Sequence, residues 1–223
     1  MLRADPHRVI LNCSRQWGKS TVCAAVAVHR AWTRPRSLVL IAAPTERQSA
    51  EFVNKCEDML RNMGVEPVGD GANRVSIAFA NGSRIIGVPG HLSSGTARLR
   101  GIAVNLMFVD EAAFLDDAVY HVLRPMLAAT KGDLWLLSMP NGRRGFFFET
   151  WTYGTNWTRF KAPATDCPRI SREFLEDERG EIGATRFQQE YLCDFVESED
   201  AAFSQLVIDQ SIDDTVPGIK IPT

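Results

Sequence analysis

Short apolar runs alternate with longer segments of helical periodicity over about the first 160 residues of the chain. A continuous apolar run predicts a strand that is buried on both faces, which is typical of a parallel sheet. Such strands are predicted over residues 9–12, 38–43, 105–109 and 134–138. Helices are predicted over residues 20–32, 46–63, 116–129 and 145–153. The alternation predicts an α/β fold with a mostly parallel central sheet flanked by helices.

Two further segments complete the predicted sheet. Residues 75–80 and 84–88 flank Asn81-Gly82, a dipeptide that favours a hairpin with a two-residue turn. Residues 158–161 predict a strand at the sheet edge. Residues 90–101 are polar and contain glycine and serine, so they predict a loop.

The chain changes character after the predicted edge strand. Residues 171–179 and 184–195 predict two acidic helices, the first of which begins at Ser171 as its N-cap. From about residue 199 onward the sequence is typical of a linker. We therefore divide the chain into an α/β core over residues 1–164, a small helical subdomain or lid that packs on the core over residues 165–200, and a linker over residues 201–223.

The formal net charge of −2 hides an asymmetry along the chain. Up to residue 164, 20 lysines and arginines stand against 13 aspartates and glutamates, whereas from residue 165 onward 5 stand against 14. A basic front part indicates contact with a polyanion such as nucleic acid. Solvation of dispersed surface charges explains the same excess, so both interpretations stay open.

Composition excludes several classes of protein. No apolar run approaches the roughly 20 residues that cross a bilayer, and the first residues lack the apolar centre of a signal peptide. The five cysteines and four histidines are scattered without a C-x-x-C pair, which disfavours both a disulfide framework and a zinc site. We expect a reducing, cytosolic environment and no membrane partner.

The segment between the first predicted strand and the first predicted helix carries Gly18-Lys19-Ser20, the end of the pattern G-x-x-x-x-G-K-[ST]. In such a phosphate-binding loop, backbone N–H groups and the helix N-terminus surround the phosphates, the lysine reaches the β- and γ-oxygens, and the serine hydroxyl binds Mg²⁺. Cys13 stands where the pattern has its first glycine, so the motif needs support from the rest of the chain. The predicted nucleotide-binding residues are Ser14, Arg15, Gln16, Trp17, Gly18, Lys19, Ser20 and Thr21.

The predicted strand over residues 105–109 runs directly into Asp110 and Glu111. Open α/β sheets bind their ligands at this carboxyl edge. Asp110 would hold Mg²⁺ directly or through water, together with Ser20, and Glu111 would act as the base or position the water that attacks the γ-phosphate. A helix start after a strand is the alternative explanation of an Asp-Glu pair. The phosphate-binding motif earlier in the chain favours the catalytic interpretation.

A third polar stretch, Ser138-Met139-Pro140-Asn141-Gly142, ends the predicted strand over residues 134–138. Its place after the Asp-Glu pair is that of a γ-phosphate sensor. An ordinary turn after a strand is the alternative.

Together these three stretches resemble the ATPase domain of phage terminase large subunits, the motors that package viral DNA. Residues 13–20 look like the Walker A variant of that family, which carries an arginine inside the loop and often lacks the first glycine. Residues 108–114 look like its Walker B motif with the catalytic glutamate. Residues 138–142 are similar to its S-T-P-N-G coupling motif, with Met139 at the threonine position. This departure removes the hydroxyl at position 139 and leaves Ser138 as the candidate for the γ-phosphate sensor. The resemblance covers roughly residues 8–200.

The resemblance implies a P-loop NTPase of the ASCE, RecA-like class that uses ATP and Mg²⁺. It implies ATP hydrolysis that drives translocation of double-stranded viral DNA in the host cytoplasm, at the portal of the procapsid. The implied partners are double-stranded DNA, further copies of the chain in a homo-oligomeric ring (a pentamer in this family), the portal protein and the small terminase subunit.

Two arginines receive roles from the same resemblance. An arginine shortly before Walker B acts in trans on the neighbouring subunit's nucleotide in this family, and Arg100 is our candidate, with Arg98 as the alternative. Both arginines could instead be solvated or contact DNA phosphates. Arg15 either contacts the γ-phosphate in cis or pairs with an acidic side chain. Trp17 either stacks on a base or packs beside the loop.

Two parts of the family pattern are missing. Eight residues precede Val9, which leaves no place for the adenine-recognising glutamine upstream, and no RNase-H-like nuclease domain follows. We therefore expect an excised or truncated ATPase domain without DNA cleavage.

The sequence leaves two other functions open. One is a helicase-like DNA-dependent ATPase, which would need a second RecA-like domain. The other is a non-catalytic nucleotide-gated assembly module, which the presence of Glu111 disfavours.

Overall fold

Seven strands form one sheet in the computed structural model, which describes residues 7–90 and 101–197. The strands are β1 (Arg8–Cys13), β2 (Leu38–Ala43), β3 (Ser76–Ala78), β4 (Arg84–Pro89), β5 (Leu106–Asp110), β6 (Asp133–Ser138) and β7 (Thr158–Ala162). The α-helices in the described part are α1 (Lys19–Thr33), α2 (Glu46–Asn62), α3 (Asp117–Leu123), α4 (Gly145–Tyr153), α5 (Arg172–Ile182) and α6 (Ala184–Glu190). None of these helices is long and apolar enough to span a membrane.

The strand order is β3-β4-β2-β5-β6-β1-β7, and β3 alone runs antiparallel to its neighbour. Strand β6 therefore separates β1 from β5, with Asn12 of β1 beside Ser138 and Asp110 of β5 beside Leu137. Because β1, β5 and β6 are parallel, their carboxyl ends meet at one edge of the sheet. The three polar stretches of the sequence follow these three ends, which confirms the predicted mostly parallel α/β fold.

Each face of the sheet carries its own apolar layer. Helices α1 and α2 cover one face, where Ala24, Ala27 and Ala31 are fully buried and allow α1 to lie close against the strands. Helices α3 and α4 cover the other face, where the rings of Tyr120 and Phe146 stack with centroids 4.0 Å apart. A third, smaller apolar cluster joins α5 to α6 around Leu175 and Phe187. The sheet edge that carries the polar stretches is thus held between two packed layers.

The β3–β4 hairpin differs from the predicted two-residue turn. Phe79 N donates to Ser83 O and Gly82 N donates to Phe79 O, each at 2.9 Å, so the loop contains residues 80–82. Gly82 takes the left-handed conformation, with φ of 81°. The loop is a type I turn over residues 79–82, followed by a bulge at Gly82. Asn81-Gly82 therefore takes the third and fourth positions of this turn instead of the two central positions of the predicted turn.

Two predicted helices are shorter than expected. The helix predicted over residues 116–129 ends at Leu123 and continues as a 3₁₀ turn, Arg124–Leu127, because Pro125 lacks the N–H that an α-helix needs. The helix predicted over residues 184–195 ends at Glu190. Cys193 then adopts φ of 58°, and the chain returns to the core, where Phe195 packs against Phe148. Tertiary packing of Phe195 outweighs the local helical pattern.

Candidate functional site

The loop between β1 and α1 has the backbone shape of an anion cradle. Gln16 and Gly18 both have positive φ, 61° and 87°, which turns successive N–H groups toward one side. Cys13 belongs to β1 and pairs with Ala162 of β7, so this position needs no glycine conformation. No side chain of the described residues caps α1, and its first turn has no acidic residue. The N–H groups of Thr21 and Val22 donate to Gly18 O, which leaves those of Lys19 and Ser20 available to an anion.

The last residue of β7 and the segment that follows it hold this loop in place. Ser14 N donates to Ala162 O at 3.0 Å, and the Trp17 indole Nε1 donates to Pro163 O at 2.7 Å. Trp17 thus lies beside the loop rather than free in the cavity. Arg169 adds a third contact, since its Nη2 donates to Gln16 O at 2.6 Å. Sequence reasoning missed Arg169, because no local pattern links it to a loop about 150 positions earlier.

Lys19 and Ser20 begin α1 directly opposite the carboxyl end of β5. Lys19 Nζ lies 2.8 Å from Glu111 Oε1, and these side chains are 9% and 26% exposed. Ser20 Oγ donates to Asp110 Oδ2 at 3.4 Å. Four predicted site residues that are about 90 positions apart in sequence are therefore in direct contact in pairs.

Glu111 is held in a strained backbone conformation. Its φ is 50°, in the left-handed region that costs a residue with a side chain about 1–3 kcal/mol. The turn after it is fixed from β6: Ala113 N donates to Ser138 Oγ, and Asn141 Nδ2 donates to Ala113 O, each at 3.2 Å. Ser138 is fully buried. The structure thus places Ser138 beneath the turn that carries Glu111, and it adds Asn141 to the site.

Asp110 is a buried carboxylate with several charges around it. Burial raises the pKa of its carboxyl, the ammonium of Lys19 opposes the rise, and the carboxylate of Glu111 adds to it. A cation bound at Asp110 would favour the ionised form. Mg²⁺ takes oxygen ligands and keeps waters and phosphates among them, so Asp110 and Ser20 fit a magnesium site of the nucleotide-bound type. The described residues contain no cluster of three or more His, Cys, Asp or Glu with metal-binding geometry.

A cavity of about 460 Å³ lies over the loop and the start of α1. The predicted residues in its wall are Gln16, Gly18, Lys19, Ser20 and Thr21. Three further residues complete the wall from outside the motif: Lys55 of α2, and Arg169 and Ile170 from the segment before α5. The cavity therefore combines a phosphate-binding loop with cationic side chains from two distant parts of the chain.

The predicted arginines are placed differently from Lys19. Arg15 is exposed and lines a second cavity of about 440 Å³, together with Asn141, Gly142 and Arg186. Within the described residues it has neither a hydrogen-bonding nor an ionic partner for its guanidinium. Arg100 and Arg98 lie outside the described residues.

Comparisons with known proteins point to one family. The family model described as terminase large subunit, T4-like-virus type, N-terminal, matches residues 10–210. The chain is 26% identical over 237 residues to the terminase large subunit of Thermus virus P23-45. The aligned region covers 92% of this chain and 49% of that protein. The same figures hold for the terminase large subunit of Thermus phage G20c. The chain thus spans about half the length of the curated relatives it matches.

Solved structures share the fold. The ATPase domain of the Thermus phage P74-26 large terminase has a TM-score of 0.71 at 24% identity, over 87% of this chain and 90% of that one. The large terminase of another thermophilic bacteriophage, solved in complex with ADP, has a TM-score of 0.72 at 18% identity, over 86% of this chain and 49% of that one. At these identities the likeness is one of fold.

Proposed function

This chain belongs to the family of N-terminal domains of terminase large subunits, and on that premise we propose that it hydrolyses ATP as a motor domain that drives double-stranded viral DNA into a capsid. The observation that carries the proposal is the pairing of Lys19 with Glu111 and of Ser20 with Asp110 across the head of α1. These four side chains are the set that a phosphoryl-transfer site of this class requires.

The roles follow from the positions of the groups. The N–H groups of residues 15–20 would hold the β-phosphate, because that of Ser14 is bound to Ala162 O, and Lys19 would contact the β- and γ-oxygens. Ser20 and Asp110 would hold Mg²⁺, which neutralises charge on the phosphates when it is bound. Glu111 would accept a proton from the water that attacks the γ-phosphate.

The Lys19–Glu111 contact suggests how substrate binding prepares the base. Both side chains are partly shielded from water, so water screens the attraction between their charges less than at the protein surface. A triphosphate competes with Glu111 for the ammonium of Lys19. Once Lys19 binds phosphate, the Glu111 carboxylate loses this contact and is available to accept a hydrogen bond from the attacking water. The strained turn keeps that carboxylate at the sheet edge.

The assembly is also part of the proposal. Double-stranded DNA, a ring of further copies, the portal protein and the small terminase subunit are the proposed partners, in the host cytoplasm at the procapsid. Arg100 is proposed to act on the nucleotide of the neighbouring subunit. In that case hydrolysis per subunit rises with protein concentration, and a rate that stays flat from dilute to concentrated protein would contradict the assignment.

Phosphate release from Mg²⁺·ATP tests the function, with and without double-stranded DNA. We expect hydrolysis by the wild-type chain and none by Lys19→Ala. Lys161→Ala, which removes an exposed lysine outside the cavity, should retain the wild-type rate. Nucleotide binding without phosphate release under all these conditions would instead support a non-catalytic assembly module.

A further inference from the structure

Helix α2 carries seven charged side chains, and six of them have ionic partners. Arg47 binds Glu51, Arg61 binds both Glu57 and Asp58, and Glu46 binds Arg74 beyond the helix. Lys55 is the exception, since within the described residues no carboxylate lies within 4.0 Å of its ammonium. Lys55 is therefore the charged residue of α2 whose partner the ion pairs of the helix do not supply.

A suitable partner for Lys55 is present and is not used. Glu51 precedes Lys55 by four residues, which is the favourable order for a pair on a helix surface. The carboxylate of Glu51 instead contacts Arg47 Nε at 3.0 Å. Lys55 is half-buried and lines the cavity over the phosphate-binding loop with Gly18 and Lys19. Its side chain therefore faces the cavity rather than the helix surface.

The cavity wall that Lys55 lines lies beside the carboxylates at the end of β5. Lys55 shares this wall with Lys19 and Ser20, the first two residues of α1. Lys19 contacts Glu111, and Ser20 contacts Asp110. The terminal phosphates of a bound nucleotide would occupy this side.

The other two cations of the cavity already have partners. Lys19 pairs with Glu111, and Arg169 donates to the carbonyl of Gln16. Lys55 is thus the cation that an incoming anion can engage without breaking a contact of its own. A half-buried ammonium also gains more from an anionic partner than a fully solvated one, because water screens the pair less.

We propose that Lys55 is a second phosphate-binding lysine, whose ammonium contacts the terminal phosphates of the nucleotide beside Lys19. This inference rests on the proposed function, because it assigns a further residue to the same site. It names a side chain on α2, outside the loop, strand-end and coupling motifs, as part of the triphosphate site.

Isothermal titration calorimetry tests the inference on the full chain, with a non-hydrolysable form of ATP and inorganic tripolyphosphate as ligands in the presence of Mg²⁺. Lys55→Met keeps the apolar stem and removes the charge, so we expect Kd to rise about tenfold for both ligands. Lys55→Arg keeps the charge and should bind within a few-fold of wild type. Arg61→Met removes one positive charge from the exposed end of α2, outside the cavity, and should leave Kd unchanged.

Each outcome separates the inference from the proposed function. Wild-type affinity for both ligands in Lys55→Met would overturn the role of Lys55 and leave the proposed function standing. An equal loss of affinity in Arg61→Met would show that only the net positive charge of α2 matters, and it would also overturn the role of Lys55. A loss for ATP without a loss for tripolyphosphate would move Lys55 to the nucleoside and contradict the phosphate contact. Failure of the wild-type chain to bind ATP would overturn both proposals. If Lys55→Met does not fold, Lys55→Gln takes its place, with far-ultraviolet circular dichroism as the check.

Discussion

Replacing Glu111 with glutamine should change ATP binding and turnover in opposite directions. Glu111→Gln keeps the size of the side chain and removes its charge, so the contact with Lys19 loses its ionic character. Two unit charges 2.8 Å apart attract each other by about 6 kcal/mol at an effective dielectric constant of about 20. Desolvation and competing water cancel most of this, because Glu111 is 26% exposed, and leave a net contribution of about 1 kcal/mol.

That contribution sets the expected gain in affinity. ATP must take Lys19 away from Glu111 in the wild-type protein, and it also approaches a carboxylate of like charge. Both costs disappear in Glu111→Gln, so ATP should bind about fivefold more tightly, which corresponds to about 1 kcal/mol. The variant has no base to accept the proton of the attacking water, so turnover should fall by about 10²–10⁴-fold.

Two measurements on the same samples check this prediction. Titration with a fluorescent ATP analogue gives the affinity, and single-turnover phosphate release gives the chemical step without interference from product release. Glu149→Gln, an exposed glutamate on α4, is the matched control and should equal wild type in both. The reasoning is refuted if turnover falls by less than tenfold, or if Glu111→Gln binds ATP more weakly than the wild-type chain.

Three further changes probe the parts that support the site and the fold. Ser138→Ala removes the acceptor of the Ala113 N–H and should lower kcat about tenfold with KM nearly unchanged, since it loosens the turn that positions Glu111; an equal change in both constants would contradict a positioning role. Trp17→Phe removes the hydrogen bond to Pro163 O and should raise the Kd for ATP about fivefold, measured by calorimetry. An unchanged Kd would show that this hydrogen bond does not support nucleotide binding. Burial by itself would raise the pKa of Asp70, but hydrogen bonds from Asn73, Ala72 and Ser76 lower it to about 2. The stability that this carboxylate provides is therefore complete above pH 4 and is lost as the pH falls toward 2. Thermal melts of the wild type and of Asp70→Asn should differ at pH 7 and converge near pH 2, and a constant difference would contradict the shift.

Much of the fold and of the site follows from local sequence. Buried parallel strands appear in the sequence as continuous apolar runs. Polar residues follow the ends of β1, β5 and β6, and they indicate a site because they do not belong to the apolar core. The shared edge of a parallel sheet then brings Ser20 to Asp110, the pair to which the motifs assign Mg²⁺. It also brings Lys19 to Glu111, a contact that the motifs did not predict. These features are predictable because each depends on a few neighbouring residues and on the direction of the strands.

Features that depend on distant packing were not predictable. Lys55 and Arg169 reach the cavity from α2 and from the segment before α5, and nothing in their local sequence marks them. The early end of α6 depends on the site that the core offers to Phe195, although the sequence continues a helical pattern. The hairpin loop depends on which residue takes the left-handed conformation, and Asn81-Gly82 suits both turn types. Tertiary contacts decide such alternatives.

A crystal structure of the chain with a non-hydrolysable ATP analogue and Mg²⁺ tests the central claim most directly. We expect the triphosphate within hydrogen-bonding distance of the N–H groups of residues 15–20 and of the Lys19 ammonium, with Mg²⁺ beside Ser20 and Asp110. We also expect Lys19 Nζ to have left Glu111 Oε1, from which it is 2.8 Å distant here. A nucleotide bound elsewhere, or a triphosphate that does not contact Lys19, would contradict the proposed ATPase site.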